Sequence, residues 1–173
     1  MKKKILKFLA KKNNNNRVFH YSLHENALSK DDLAEGFKVL QSRQLTMSKK
    51  TRQFEEYFKK KLKLNYCLMV NSGSSANLLA LFALINPKKK NTLNQGDECL
   101  VPSICWSTSL WPIIQTGLVP VLIDVDPNTL NLSISSLKKA IVKHDIKAIM
   151  MVHILGNSTN VSQLLEIVKN NDL

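Results

Sequence analysis

From Ser29 onward, apolar positions follow two rhythms: a helical spacing of three and four, and short unbroken runs. Ser29 followed by Asp31 and Asp32 predicts a helix start, because a hydroxyl cap and two acids suit the open N–H groups and the dipole there. Leu33, Phe37 and Leu40 then share one face. A second helix is predicted over 50–62, with Phe54, Tyr57, Phe58 and Leu62 inward and the lysines outward. Beyond it the rhythm becomes strand, helix, strand. Strands are expected at 66–70, 98–102, 119–124 and 147–153, and helices at 74–85, 107–116, 135–143 and 161–169. Pro112 is tolerable in its helix only near the first turn, and Trp111 reads as a core residue of that helix. Continuous apolar strands between helices indicate an α/β domain with a mostly parallel sheet covered on both faces. The final helix runs into Asn170, Asn171, Asp172 and Leu173 where another strand would be the next beat, so the pattern reads as interrupted.

Length and composition narrow the class. The chain has 173 residues and is 44% hydrophobic, which suits one packed domain or a large piece of one. No apolar run approaches the roughly 20 residues of a membrane span. Three cysteines without C-x-x-C spacing argue against a disulfide framework or a zinc site, and no metal ligand set is apparent; the simplest reading is a protein of the reducing cytoplasm. The net charge of +12 is unevenly placed. Residues 1–17 hold seven of the 25 basic residues and none of the 13 acids, so the remainder carries only +5. Three parts follow: a basic flexible leader at 1–17, a helical entry segment at 18–62, and the α/β part at 63–173. The leader could meet nucleic acid or anionic lipid, but a solvated terminus is the plainer reading. No helix-turn-helix spacing or base-reading helix accompanies it.

Three segments could carry chemistry. In Val70-Asn-Ser-Gly-Ser-Ser-Ala-Asn77, Gly73 allows a sharp turn and close approach to a ligand. Ser74 and Ser75 open a helix whose first N–H groups have no internal partner, an arrangement suited to phosphate. An ordinary capped turn would look the same. The loop matches neither the dinucleotide fingerprint nor the P-loop. In Pro102-Ser-Ile-Cys-Trp-Ser-Thr108, Trp106 falls at the carboxyl edge of the sheet, where open α/β folds bind ligands, and an indole there can stack on an aromatic ring or simply fill the core. In Met151-Val-His-Ile-Leu-Gly-Asn157, His153 and Asn157 close the fourth strand on the same edge; His153 is a proton carrier, a ligand or a hydrogen-bonded fixture. Asp124 and Asp126 suit turn and cap duty.

Together, "FEEYFKKKLKLNYCLMVNSGSSANLLALFAL", "NQGDECLVPSICWSTSLWPIIQTGLVPVLIDVDPNTLNL" and "KAIMMVHILGN" resemble the amino-terminal half of the DegT/DnrJ/StrS enzymes, over about residues 28–173. That resemblance implies a pyridoxal-phosphate-dependent sugar aminotransferase or dehydrase, acting on nucleotide-linked keto-deoxy sugars for surface polysaccharide or lipopolysaccharide biosynthesis. It implies an aspartate-aminotransferase-like large domain, a three-layer α/β/α sandwich, present here in part. Gly73, Ser74 and Ser75 would hold the cofactor phosphate and Trp106 would stack on its ring, with Thr108, His153 and Asn157 as neighbours. The resemblance also implies a homodimer, and glutamate as amino donor if the enzyme is an aminotransferase. "HILGN" departs from the H-L-Y-G of the aminotransferase branch. "NSGSSANLL" and the lysine-rich 86–94 stretch look more like the CDP-4-keto-6-deoxyglucose 3-dehydrase branch, which uses the pyridoxamine form.

The Schiff-base lysine, or the histidine that replaces it, and the aspartate facing the pyridine nitrogen match no residue here. No catalytic residue is therefore assigned, and the chain by itself is expected to be an inactive, weak phosphate binder. The rival classes are a gene remnant without activity, a basic regulatory or nucleic-acid-binding protein, and a different phosphate-cofactor enzyme on a Rossmann-type sheet.

Overall fold

The computed structural model describes residues 27–171; the basic leader lies outside them. The chain divides into two units, one ending at Cys67 and one beginning at Leu68.

Among the described residues the first unit holds two helices. Helix α1, Lys30–Ser42, is opened by a reciprocal cap: the Ser29 hydroxyl accepts the Asp32 N–H at 3.1 Å, and the Asp32 carboxylate accepts the Ser29 N–H at 2.8 Å. It ends where Arg43 turns left-handed at φ 58°. Helix α2, Lys49–Leu62, ends the same way at Lys63. Phe54 and Phe58, one turn apart, stack with ring centroids 5.5 Å apart. The inward apolar face expected of α2 is not observed. Neither helix holds a buried residue, and Phe54, Tyr57, Phe58 and Leu62 are all exposed. Two helices cover only a fraction of each other's stripe, so the spacing of these residues is a face without an interior.

The second unit is a three-layer α/β/α arrangement. Helix α3 spans Gly73–Leu84, strand β1 Glu98–Pro102, helix α4 Ser107–Gln115, strand β2 Val119–Ile123, helix α5 Ile134–Lys143, strand β3 Ile146–Ile149 and helix α6 Val161–Asn170. The strands are parallel in the order β2-β1-β3. On β1, Glu98 sits opposite Val119 and Pro102 opposite Ile123; on the other side Cys99 pairs with Ala148 after a one-residue slip. Pro120 falls on the edge strand β2, where its missing N–H costs no central ladder bond.

Alternation along β1 sends consecutive side chains to opposite layers. Leu100 joins Val121, Ile123, Leu137 and Ile167 under α5 and α6. Cys99 and Val101 join Leu81, Ile113 and Leu118 under α3 and α4. The covered sheet expected from the unbroken apolar runs is therefore present, with the core in two sheets of side chains either side of β1.

Two expected strands need correction. Residues 66–70 form none: Tyr66 and Leu68 are 89% and 69% exposed, and among the described residues the sheet consists of β2, β1 and β3 alone. A run rich in strand formers becomes a strand only when a ladder accepts it. The fourth strand stops at Ile149 instead of continuing to 153, and a 3₁₀ turn at Ile154–Gly156 follows. Gly117 makes the bend before β2 at φ 78°, a left-handed conformation that a side chain would strain.

Candidate functional site

Ser72 caps α3. Its hydroxyl accepts the Ser75 N–H at 3.1 Å and donates to the Ser75 hydroxyl at 3.1 Å, while its carbonyl accepts the Ala76 N–H at 3.0 Å. The amides of Gly73 and Ser74 are left without an acceptor among the described residues, at the positive end of a twelve-residue helix. Because Ser75 accepts from Ser72, its own hydroxyl proton is available to a ligand. Gly73 does not adopt a left-handed conformation. Its contribution is space: a Cβ built there meets nothing within 4 Å. An oxyanion can thus approach the backbone directly.

At the same carboxyl edge, β1 ends at Pro102 and Trp106 becomes the N-cap residue of α4. Its indole is 76% exposed, so it is a free aromatic surface and not part of the core. Burial pushes the thiol of the neighbouring Cys105 above its usual pKa, which keeps it protonated near neutral pH. The reading of Trp111 as core is corrected here: α4 buries Ser109, Pro112 and Ile113, and helical phase places Trp111 on the opposite side, 54% exposed. Trp111 and Thr108 line a cavity of about 280 Å³ together with Ser74 and Ser75. Between the walls, the Asn77 side-chain amide donates to the Thr108 carbonyl at 3.1 Å.

Of the residues expected at the site, the fold brings Ser74, Ser75 and Thr108 to one cavity, with Gly73 at the head of α3 and Trp106 two residues before Thr108. His153 and Asn157 belong to the loop after β3 instead. There the Thr159 N–H donates to His153 Nδ1 at 3.2 Å, Asn157 Nδ2 donates to the Thr129 carbonyl at 3.3 Å, and the buried Asn131 bonds the Asn157 carbonyl and the Ile154 N–H. Asp126 accepts from the Asn128 and Thr129 amides, the turn duty expected of it. Sequence reasoning missed Trp111 and Asn77. Helical phase relative to Ile113 is the signal for the first; nothing local signals the second.

Donor geometry and charge suit a phosphate ester beside an aromatic ring. No lysine lines the cavity. The family model of the DegT/DnrJ/EryC1/StrS aminotransferases matches residues 26–173. The chain belongs to that family. Among its relatives, the GDP-4-keto-6-deoxy-D-mannose 3-dehydratase of Escherichia coli O55:H7 is 43% identical over 135 residues, 78% of this chain and 34% of that protein. Lipopolysaccharide biosynthesis protein RfbH of Salmonella typhimurium is 43% identical over 122 residues, 68% of this chain and 28% of that protein. The GDP-perosamine synthase of Escherichia coli O157:H7 is 32% identical over 122 residues, 70% of this chain and 31% of that protein. Among solved structures, the E. coli GDP-4-keto-6-deoxy-D-mannose-3-dehydratase with bound hydrated PLP superposes with a TM-score of 0.82 at 39% identity, covering 88% of this chain and 39% of that one. A GDP-4-keto-6-deoxymannose-3-dehydratase with a trapped PLP-glutamate geminal diamine gives 0.80 at 40% identity, covering 86% and 38%. The aspartate-aminotransferase-like architecture expected from the sequence is the fold this family member shows, in part. The chain spans about a third of the length of the curated relatives it matches.

Proposed function

We propose that this family member holds the phosphate and ring of pyridoxal phosphate, or its pyridoxamine form, for an enzyme acting on a nucleotide-linked 4-keto-6-deoxy sugar. The open Gly73 and Ser74 amides at the head of α3 carry this reading. Those amides and the Ser74 and Ser75 hydroxyls would hold the phosphate, and the exposed Trp106 indole would lie against the ring. When bound, the cofactor supplies an electron sink for breaking bonds beside a substrate carbon. The chain's own groups bind, orient and shield. His153 accepts a backbone N–H at Nδ1, so its neutral ring carries its proton at Nε2. With Thr108 and Asn157 it remains a candidate neighbour of the substrate.

The identities of 43% to a 3-dehydratase and 32% to a perosamine synthase favour the dehydratase branch, in a cytoplasmic homodimer serving lipopolysaccharide or related surface polysaccharide assembly. The aminotransferase reading, with glutamate as amino donor, rests on the perosamine synthases.

One titration tests all of this. The purified chain should bind pyridoxal phosphate and pyridoxamine phosphate with similar, weak affinity, and borohydride should fix no label. Trp106→Ala should weaken both by about 1 kcal/mol, the worth of an aromatic stack. Absence of binding, or binding indifferent to Trp106, overturns the site. A borohydride-fixed adduct at one unique lysine, with turnover of the sugar, overturns the expectation that the chain by itself is inactive.

A further inference from the structure

Pro112 is the sixth residue of α4, deeper than the first turn that the sequence reading allowed it. Proline has no N–H, so the carbonyl four residues earlier, that of Thr108, loses its helical partner. An uncompensated carbonyl at a part-buried position is costly. Thr108 does have a partner: the Asn77 side chain, 31 residues away on α3, donates to it at 3.1 Å. Among the described residues this is the one side-chain hydrogen bond between α3 and α4. The remaining packing is apolar, in the cluster that holds Leu81 and Ile113, and the hydrophobic effect has no direction of its own whereas a hydrogen bond does.

Where the bond falls matters more than that it exists. Asn77 lies two residues past Ser75, in the turn that presents the open amides. Thr108 lies two residues past Trp106. We infer that Asn77 is a positioning residue: it fixes the phosphate cradle at the head of α3 relative to the indole at the head of α4, using the carbonyl that Pro112 leaves open. The inference rests on the cofactor reading above for its purpose, but the tie itself is a property of the chain alone.

The test uses the full 173-residue chain in three forms beside the unaltered one. Asn77→Leu is close in shape and cannot donate. Pro112→Ala restores a backbone N–H to the Thr108 carbonyl. The double variant combines them. Without ligand, Asn77→Leu should speed amide exchange at residues 107–110 by about tenfold, the factor expected from losing one ordinary hydrogen bond, and leave β1 unchanged. The double variant should return exchange to the original rate, since α4 then satisfies itself.

With ligand, the affinity of the Asn77→Leu chain for inorganic phosphate should stay within about twofold, because the cradle's own donors are intact. The shift of the Trp106 indole resonance on adding pyridoxal phosphate should shrink. Unchanged exchange at 107–110 overturns the inference, as do equal acceleration in β1, which marks global loosening, and failure of the double variant to rescue. If the unaltered chain shows no Trp106 shift with pyridoxal phosphate, the cofactor reading falls, while the ligand-free arm still decides the tie.

Discussion

Glu35 shows how charge works on this chain's surface. Lys38 and Lys50 both donate to its carboxylate, the latter at 2.8 Å, and hold its pKa at about 2, well below the usual 4.5. The depressed value means that the ion pairs favour the folded form above pH 4.5, and that this contribution drains away as the pH falls from 4.5 through 2. The pair lies at the surface, with the Glu35 side chain 46% exposed, so salt competes with both lysines. A carbon-detected titration should place the Glu35 midpoint near 2 and move it toward 4.5 with Lys50→Ala or about 1 M salt; a midpoint already at 4.5 in low salt would refute the pairing. Residue roles were unevenly legible in the sequence. Ser29 and Asp32 announce a reciprocal cap, because both partners lie within one turn. Pro112 reads from the sequence only as tolerable near the first turn, and the carbonyl it leaves open at Thr108 follows from its place as the sixth residue of α4. What fills it is hidden, since Asn77 reaches Thr108 only through the packing of α3 on α4.

At the scale of the element, the strand-helix rhythm from 98 onward was readable because each run contains its own reasons: unbroken apolar strands, polar caps at Ser133 and Asn160, and glycine at the bends. Residues 66–70 failed for the opposite reason. Their composition suits a strand, but pairing is a property of the sheet and not of the segment. β1 is the element on which the second unit depends, since both layers close on it. Leu100 is fully buried there beneath α5 and α6. Leu100→Ala should cost about 2–5 kcal/mol, by lost transfer energy and an unfilled cavity. Urea unfolding measures it; a loss comparable to that of a surface substitution would mean that the layer does not close as described.

For the molecule as a whole, the two units differ in what holds them. The second has two layers of buried side chains on a hydrogen-bonded ladder. Among the described residues the first has no buried residue; its helices of 13 and 14 residues hold one cap, a phenylalanine stack and exposed ion pairs. Helices of that length are marginal in water without a packed face, and exposed pairs screened by solvent add little. Local opening free energy should therefore be low across 30–62 and approach the global value in β1. Hydrogen exchange followed by mass spectrometry separates these regimes. The Cys99, Leu100 and Val101 amides should exchange slowest of all, and only when the sheet unfolds. Amides of α1 and α2 should exchange orders of magnitude sooner, at rates that barely change with small amounts of urea, because fraying exposes little surface. A Leu100→Ala chain should speed exchange in β1 and leave α1 and α2 as they were. Equal protection of α2 and β1, or acceleration of both by that substitution, would show the chain to be one cooperative body.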